Sequence, residues 1–275
     1  MTPAAAPPPA TPATSPSTPP STPPSMPLPV AATSPDGGES RVGVGRMFDR
    51  IAHRYDALNG LLSFGMHTGW RRRALAWLPT TTPAGAGGGL RILDVATGTA
   101  DVVQLLLRRH DVAFVTGCDV SEGMLAHGRQ KLARDPRGGD AELVTGDATA
   151  LPFADGSFDA LTMSFGLRNV VDLDAALREL RRVLRPGGRA IVLEFATPRP
   201  GPFAFFYERY RRHVLPAVGA AVSGDGHAYR YLDRTIATFP SGDALRARFT
   251  AAGFARTWQE ALTGGSVGIT VGERA

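Results

Sequence analysis

Between residues 90 and 195 short apolar runs alternate with segments whose apolar positions recur every three or four residues. The runs 90–95, 112–119, 141–145, 158–165 and 189–195 are of strand length and bounded by Gly, Asp or Pro, so each predicts a buried β-strand. The intervening segments predict helices. One begins near Val102, one covers 122–134 behind the N-cap candidate Ser121, and one starts after Asp172 with Leu173, Leu177, Leu180 and Leu184 on a single face. Arg185-Pro186-Gly187-Gly188 closes that last helix and opens the strand after it. Repeated β–α alternation predicts a mainly parallel sheet covered on both faces.

Flanking this core, 46–59 and 61–78 carry helical patterns; Met47, Ile51, Tyr55 and Leu58 form one apolar stripe. After Pro202 comes the aromatic and basic run Phe203-Ala204-Phe205-Phe206-Tyr207-Glu208-Arg209-Tyr210-Arg211-Arg212. It has two readings: a helix packed over the sheet with snorkelling arginines, or a lid for a greasy substrate that touches a membrane surface. Ser241 is placed to cap a helix over 242–252. Segments 254–260 and 266–271, joined by Leu262-Thr263-Gly264-Gly265, predict a closing hairpin.

The candidate chemistry lies at the strand ends. Leu90-Arg91-Ile92-Leu93-Asp94-Val95-Ala96-Thr97-Gly98-Thr99-Ala100-Asp101 reads as strand, tight turn and helix start, a joint whose free N–H groups face a ligand. About 20 residues on, Asp119 stands at the offset where open α/β folds place an acid for ribose hydroxyls. A pyrophosphate would need the glycine triplet G-x-G-x-x-G, and this turn has one glycine in that window. A nucleoside cofactor without phosphates, such as S-adenosylmethionine, has no such need; a doubly wound domain whose tight turn holds no ligand is the other reading of this stretch. With such a cofactor Asp94 is expected near the methionine end, and Asp94, Asp119, Asp147 and Ser164 all fall at carboxyl ends of strands.

Composition narrows the setting. Residues 1–38 hold 13 of the 23 prolines, among Ser, Thr and Ala, and predict a disordered tail; 39–275 is expected to be one domain. Within it, 39–89 predicts a helical cap, 90–200 a cofactor-binding core, 201–240 a substrate-lid insertion and 241–275 a closing helix and hairpin. No secretory signal, basic presequence or 18-residue apolar stretch is visible, so the expectation is a soluble cytoplasmic protein. The net charge of +5 comes from 29 Arg and a single Lys, Lys131, a bias of G+C-rich coding more than of polyanion binding. The one cysteine, Cys118, falls in a buried strand and has no intrachain disulfide partner. No His/Cys/Asp cluster has metal-ligand spacing, and no metal is expected.

The block Tyr55-Asp56-Ala57-Leu58-Asn59-Gly60-Leu61-Leu62-Ser63-Phe64-Gly65-Met66-His67-Thr68-Gly69-Trp70 resembles the N-terminal signature of the ubiquinone/menaquinone biosynthesis C-methyltransferases. Ser164-Phe165-Gly166-Leu167-Arg168-Asn169 and Arg182-Val183-Leu184-Arg185-Pro186-Gly187-Gly188 resemble two further blocks of that family, and the likeness runs from about Arg46 to the end. Ala100 stands where the family usually has glycine, Leu58 where it has methionine, and Ala196 where it has serine. The resemblance implies a class I methyltransferase fold, Rossmann-like, with a seven-stranded sheet and N-terminal helices capping the site.

It also implies the site. Gly98 and Thr99 lie in the cofactor turn, Asp119 takes the ribose hydroxyls, Asp147-Ala148 sit at the adenine, and Ser164 ends the fourth strand beside the methyl group. The implied reaction moves a methyl group from S-adenosylmethionine to a ring carbon of a prenylated hydroquinone. A naphthohydroquinone, demethylmenaquinol, is favoured over the benzoquinol of the ubiquinone route by a composition that suits a bacterium using menaquinone. The ring must ionise, and such phenols titrate near pH ~10. Arg168 is the expected phenolate partner, with a purely loop-fixing role as the alternative, and Asn169 a neutral donor; arginine is too weak an acid to serve as base. His67, Tyr55 or a water is left as the base. The prenyl tail implies transient contact with the inner face of the cell membrane, through segment 203–210. An oligomer stays open.

Three rivals share the fold. A nucleic-acid N-methyltransferase would carry Asn/Asp-Pro-Pro-aromatic where this chain has Ser164-Phe165-Gly166-Leu167, and no base-stacking module is seen. A cofactor-binding subunit without catalysis and a methyltransferase of another phenol are the others.

Overall fold

The computed structural model describes residues 60, 63, 65–81, 88–198, 200–214 and 234–275. The Pro-rich segment 1–38, the expected helix 46–59 and Tyr55 lie outside these residues.

Seven strands form one sheet: β1 Leu90–Val95, β2 Val112–Asp119, β3 Ala141–Thr145, β4 Phe158–Ser164, β5 Leu184–Phe195, β6 Arg256–Leu262 and β7 Val267–Glu273, in the order β3-β2-β1-β4-β5-β7-β6. The first five are parallel, and β7 enters antiparallel between β5 and β6. Strand order reverses between β1 and β4, which opens a crevice at their carboxyl ends.

Alternation along the strands builds two cores. Leu90 and Ile92 of β1 and Ile191 and Leu193 of β5 face one way, toward Val103, Leu106 and Leu107 of α2 (Asp101–Leu107) and Ala74 and Leu75 of α1 (Met66–Leu75). Leu93, Val95, Leu161 and Met163 face the other way, toward Leu177 and Leu180 of α4 (Leu173–Val183) and Phe249 of α6 (Asp243–Ala251). Both faces are therefore covered, and the continuous apolar runs of the sequence follow from that. Ser121 accepts from the Met124 N–H at the start of α3 (Glu122–Leu132), and Asp172 accepts from the Ala175 N–H at the start of α4, both as expected of N-caps.

Four expectations are corrected. The second helical segment is described as helix over Met66–Leu75 only, since Gly65 sits at φ 73° and blocks a continuous helix before it. Ser241 does not cap α6; Gly242 (φ 59°) occupies the cap, with no side-chain cap bond. The closing hairpin exists but lies two residues further on at both ends, with Thr263–Gly265 as its turn. Helix α5 (Pro202–Arg209), followed by a π-turn over Tyr210–Val214, buries none of its side chains and so is not a helix packed over the sheet. Its Phe203, Phe205 and Phe206 are 44%, 57% and 69% exposed.

Candidate active site

Everything at the crevice hangs on the turn after β1. Asp94 is buried, and its two carboxylate oxygens accept from Thr97 Oγ1 (2.7 Å) and Thr162 Oγ1 (2.6 Å), which ties the turn to β4. On the other side the Gly98 N–H donates to Asp119 Oδ2 (2.8 Å), and the Thr97 N–H donates to the Cys118 carbonyl (3.1 Å), which ties it to β2. Three alternate residues, Ala96, Gly98 and Ala100, take left-handed φ of 53°, 57° and 66°. Two of them are not glycine, so backbone strain of about 1–2 kcal/mol apiece is held here by the surrounding bonds.

The crevice is an open cleft of about 800 Å³, part of which is space open to solvent. Gly98, Asp119, Asp147, Ala148, Ser164 and Asn169, all expected from sequence, line it. Asp119 Oδ1 also accepts from the Ser121 N–H (2.9 Å), and Asp147 Oδ1 from the backbone and hydroxyl of Thr149 (both 2.8 Å), so both carboxylates are held rigidly at the rim. An added Cβ at Gly98 would meet nothing within 4 Å, because that flank of the turn faces open cleft.

The remaining expected residues stand elsewhere. Asp94 is not in the lining: its carboxylate is buried behind the turn, bonded to Thr97 and Thr162. Thr99 is buried, and accepts from Lys131 Nζ (2.9 Å) beside the Asp101–Lys131 ion pair. Ala100 is fully buried, and its methyl packs toward Gly128 of α3, where an added Cβ would approach it to 3.2 Å. The alanine that replaces a family glycine thus costs strain without narrowing the cleft. His67 lies outside the lining, its Nδ1 2.7 Å from Ser63 Oγ and its Nε2 3.4 Å from Thr68 Oγ1.

Arg168 gives the largest revision. Its Nη1 pairs with Glu194 Oε1 at 2.7 Å, with both side chains over nine-tenths buried, and also donates to the Phe165 carbonyl. Glu194 further accepts from the backbone N–H groups of Arg168 (3.2 Å) and Phe195 (2.8 Å). The guanidinium charge is compensated behind the cleft, so the geometry matches the loop-fixing role and not the phenolate partner. Sequence spacing could not show this, since the carboxylate comes 26 residues later on another strand.

Several lining residues were not expected from sequence. Ala96, Val120, Met124, Phe165 and Val171 are apolar members of that lining. Val120 and Val171 are 44% and 54% exposed; Val120 directly follows Asp119 at the end of β2, a signal the sequence offers, whereas Val171 comes seven residues after the end of β4. Among the described residues no group of three or more His, Cys, Asp or Glu is placed to hold a metal ion.

Residues 36–274 match the model of the ubiE/COQ5 methyltransferase family. The chain belongs to that family. This family member is 47% identical over 228 residues to the demethylmenaquinone methyltransferase of Thermus thermophilus, covering 83% of this chain and all of the relative. It is 43% identical to the ubiquinone/menaquinone biosynthesis C-methyltransferase UbiE of Geobacter sulfurreducens (83% and 87% covered) and 41% to that of Escherichia coli (82% and 88%). Among solved structures it is similar to a SAM-dependent methyltransferase of Thermotoga maritima (TM-score 0.59, 20% identity, 84% and 99% covered). A phosphoethanolamine N-methyltransferase of Haemonchus contortus with S-adenosyl-L-methionine shares the fold as well (TM-score 0.62, 15% identity, 88% and 61% covered). The fold is thus that of class I methyltransferases, and S-adenosylmethionine is the co-substrate of this methyltransferase. The residues present fit it: a left-handed glycine turn opening on the cleft, an acid at the end of β2 and another just past β3, and an apolar remainder.

Burial pushes the Asp94 carboxyl up to about 6, against the opposing pull of the Thr162 and Thr97 hydroxyls and the charge of Arg71. A carboxyl whose value is higher folded than unfolded favours the fold while protonated. Its contribution is complete below pH ~4 and is lost as pH rises through about 6, a penalty on the order of 3 kcal/mol at neutral pH. Asp94→Asn should therefore flatten the stability profile between pH 4 and 6.5, measured by urea unfolding at each pH. An unchanged slope would contradict the assignment.

Proposed function

We propose that this methyltransferase carries the methyl group of S-adenosylmethionine to a ring carbon of demethylmenaquinol. The observation that carries the reading is the change in character across the cleft. Carboxylates and a glycine turn occupy the β1–β3 side, while the β4 side presents Ser164, Phe165 and Asn169, with the Phe195 and Trp70 rings beside Phe165. A flat, apolar ring with two hydroxyls suits the second side. Relatives named for the methylation of demethylmenaquinone, or for ubiquinone and menaquinone biosynthesis, support the same chemistry, and the naphthoquinone name belongs to the relative at 47% identity.

When bound, S-adenosylmethionine supplies an electrophilic methyl group on its sulfonium. The protein's own residues do the rest. Asp119 accepts ribose hydroxyls, and Asp147 with the Ala148 N–H reads the adenine edge. The apolar lining from Ala96, Met163 and Phe165 displaces water from the reacting carbon. Asn169, which lines the cleft, steadies the ring oxygen as its proton leaves to a water at the open mouth. Arg168, paired to Glu194, acts as a positioning residue: it holds the Phe165 carbonyl and so fixes the loop that presents Asn169. His67 keeps a role in orienting α1, and Tyr55 remains a candidate base.

We also infer membrane contact through α5. No described helix is long and apolar enough to cross a bilayer, yet Phe205 and Phe206 stand exposed beside Arg209, whose guanidinium lies 5.3 Å from the Phe205 ring centre. Aromatic rings flanked by arginine suit an anionic lipid face, at which an enzyme collects a prenylated substrate. On this reading the chain visits the inner face of the cell membrane, where its prenylated substrate resides.

Mass spectrometry after mixing purified protein, methyl-labelled S-adenosylmethionine and reduced demethylmenaquinone should show labelled menaquinol, with a reduced ubiquinone precursor labelled weakly in parallel. Labelling of neither quinol would overturn the reading. Asn169→Ala should lower kcat by roughly 10–100-fold with S-adenosylhomocysteine affinity held within about twofold; equal losses in both would make Asn169 structural. Replacing Phe205 and Phe206 by Ser should weaken binding to anionic liposomes about tenfold or more, measured by co-sedimentation. Unchanged sedimentation would remove the membrane contact.

A further inference from the structure

The aromatic side chains on the β4 side of the cleft continue beyond it in one row. The Phe165 ring lies 4.7 Å from that of Phe195 and meets Trp70 edge-on at 6.2 Å. Trp70 Nε1 in turn donates to Thr263 Oγ1 (2.8 Å), at the first residue of the β6–β7 turn. The next residue, Gly264, lies flat against the Phe203 ring of α5; a Cβ there would stand 2.6 Å from two ring carbons. Phe203 stacks on Tyr207 at 6.1 Å, next to the exposed Phe205 and Phe206.

Trp70, Phe165 and Phe195 pack against the core and are left partly uncovered by it. Core aromatics such as Phe249 are fully buried, whereas Trp70, Phe165 and Phe195 are half-buried and Phe203 is 44% exposed. The turn that the row crosses is also strained: Thr263 takes φ 46° and Gly264 φ 64°. The indole bond to Thr263 holds a left-handed non-glycine residue in place, and the glycine after it leaves room for nothing but the Phe203 ring. The polar atom of Trp70 is spent on that bond, so the row offers apolar faces from the cleft to the protein surface.

We propose that this row is the binding track for the isoprenoid tail of the acceptor, running from Phe165 past Trp70 and the Thr263–Gly264 turn to Phe203 and the membrane-facing side of α5. The proposal rests on the reading of the acceptor as a prenylated hydroquinone. In demethylmenaquinol the carbon that gains the methyl group adjoins the carbon that bears the tail, so the tail leaves the cleft directly beside the methyl site. Phe165, which follows Ser164 and lines the cleft, stands at that exit. Branched five-carbon units gain from aromatic faces by dispersion and area burial and ask for no hydrogen bond, which matches what the row offers. Such a track spends contact with the unreactive tail on holding the ring.

The test compares two demethylmenaquinols in detergent micelles, one with a single isoprene unit and one with eight. The readout is the ratio of kcat/KM for the long over the short acceptor. Wild type should favour the long acceptor, and Trp70→Ala and Phe203→Ala should each lower that ratio by about tenfold, the worth of one lost aromatic contact. Phe203 is exposed on a surface helix, so its variant keeps the test open if Trp70→Ala fails to fold. An unchanged ratio in both variants overturns the track.

Failure of the acceptor reading would look different, because wild type would then methylate neither quinol. The track is judged in that case by binding, through quenching of indole fluorescence by a nitroxide-labelled geranylgeraniol. Loss of the quenching in Trp70→Phe supports the track, and full quenching in that variant overturns it.

Discussion

Two threonine hydroxyls on one buried carboxylate hold this active site together. Asp94 is the last residue but one of β1, and its bonds to Thr97 and Thr162 join the cofactor turn to β4 across the point where strand order reverses. The Gly98–Asp119 bond does the same toward β2. Between these fastenings the chain passes through three left-handed residues, a conformation that the local sequence would not hold unaided. The ionised carboxylate is costly where it stands, since burial raises its pKa to about 6. Stability is thus given up at neutral pH for a turn whose shape is fixed before any ligand arrives, as preorganised sites require.

The cofactor side of the cleft was legible in the sequence because each of its parts is local. A buried parallel strand shows as a continuous apolar run, and the residue that ends the run is automatically at the ligand edge. Asp119 and Ser164 end their runs and Asp147 stands two residues past its own, so all three could be placed at that edge. Boundaries were less secure where two candidates compete within a residue or two, as Gly242 displaced Ser241 at the cap of α6.

Features built from distant segments were not legible. The Arg168–Glu194 pair joins the β4 loop to β5, and without it Arg168 reads as a cation aimed at substrate. Trp70 meets Thr263 across 193 residues of chain. The exposure of α5 is likewise a tertiary fact; its i, i+4 aromatic spacing predicts a buried stripe equally well. What the resemblance to quinone C-methyltransferases supplied was the acceptor. The structure adds an aromatic side to the cleft, and pairs the arginine with Glu194 and the Phe165 carbonyl, the geometry of a loop support.

The central claim is that the cleft bounded by Gly98, Asp119 and Asp147 holds the nucleoside of S-adenosylmethionine. Titration calorimetry of S-adenosylhomocysteine into wild type and Asp119→Asn tests it most directly, because the amide keeps one acceptor, for the Gly98 N–H, gives up the one for the Ser121 N–H, and loses the charge that draws the ribose hydroxyls. The account predicts one site per chain in wild type and a dissociation constant raised about tenfold or more in the variant, with the fold intact. Equal affinity in the two proteins would contradict it.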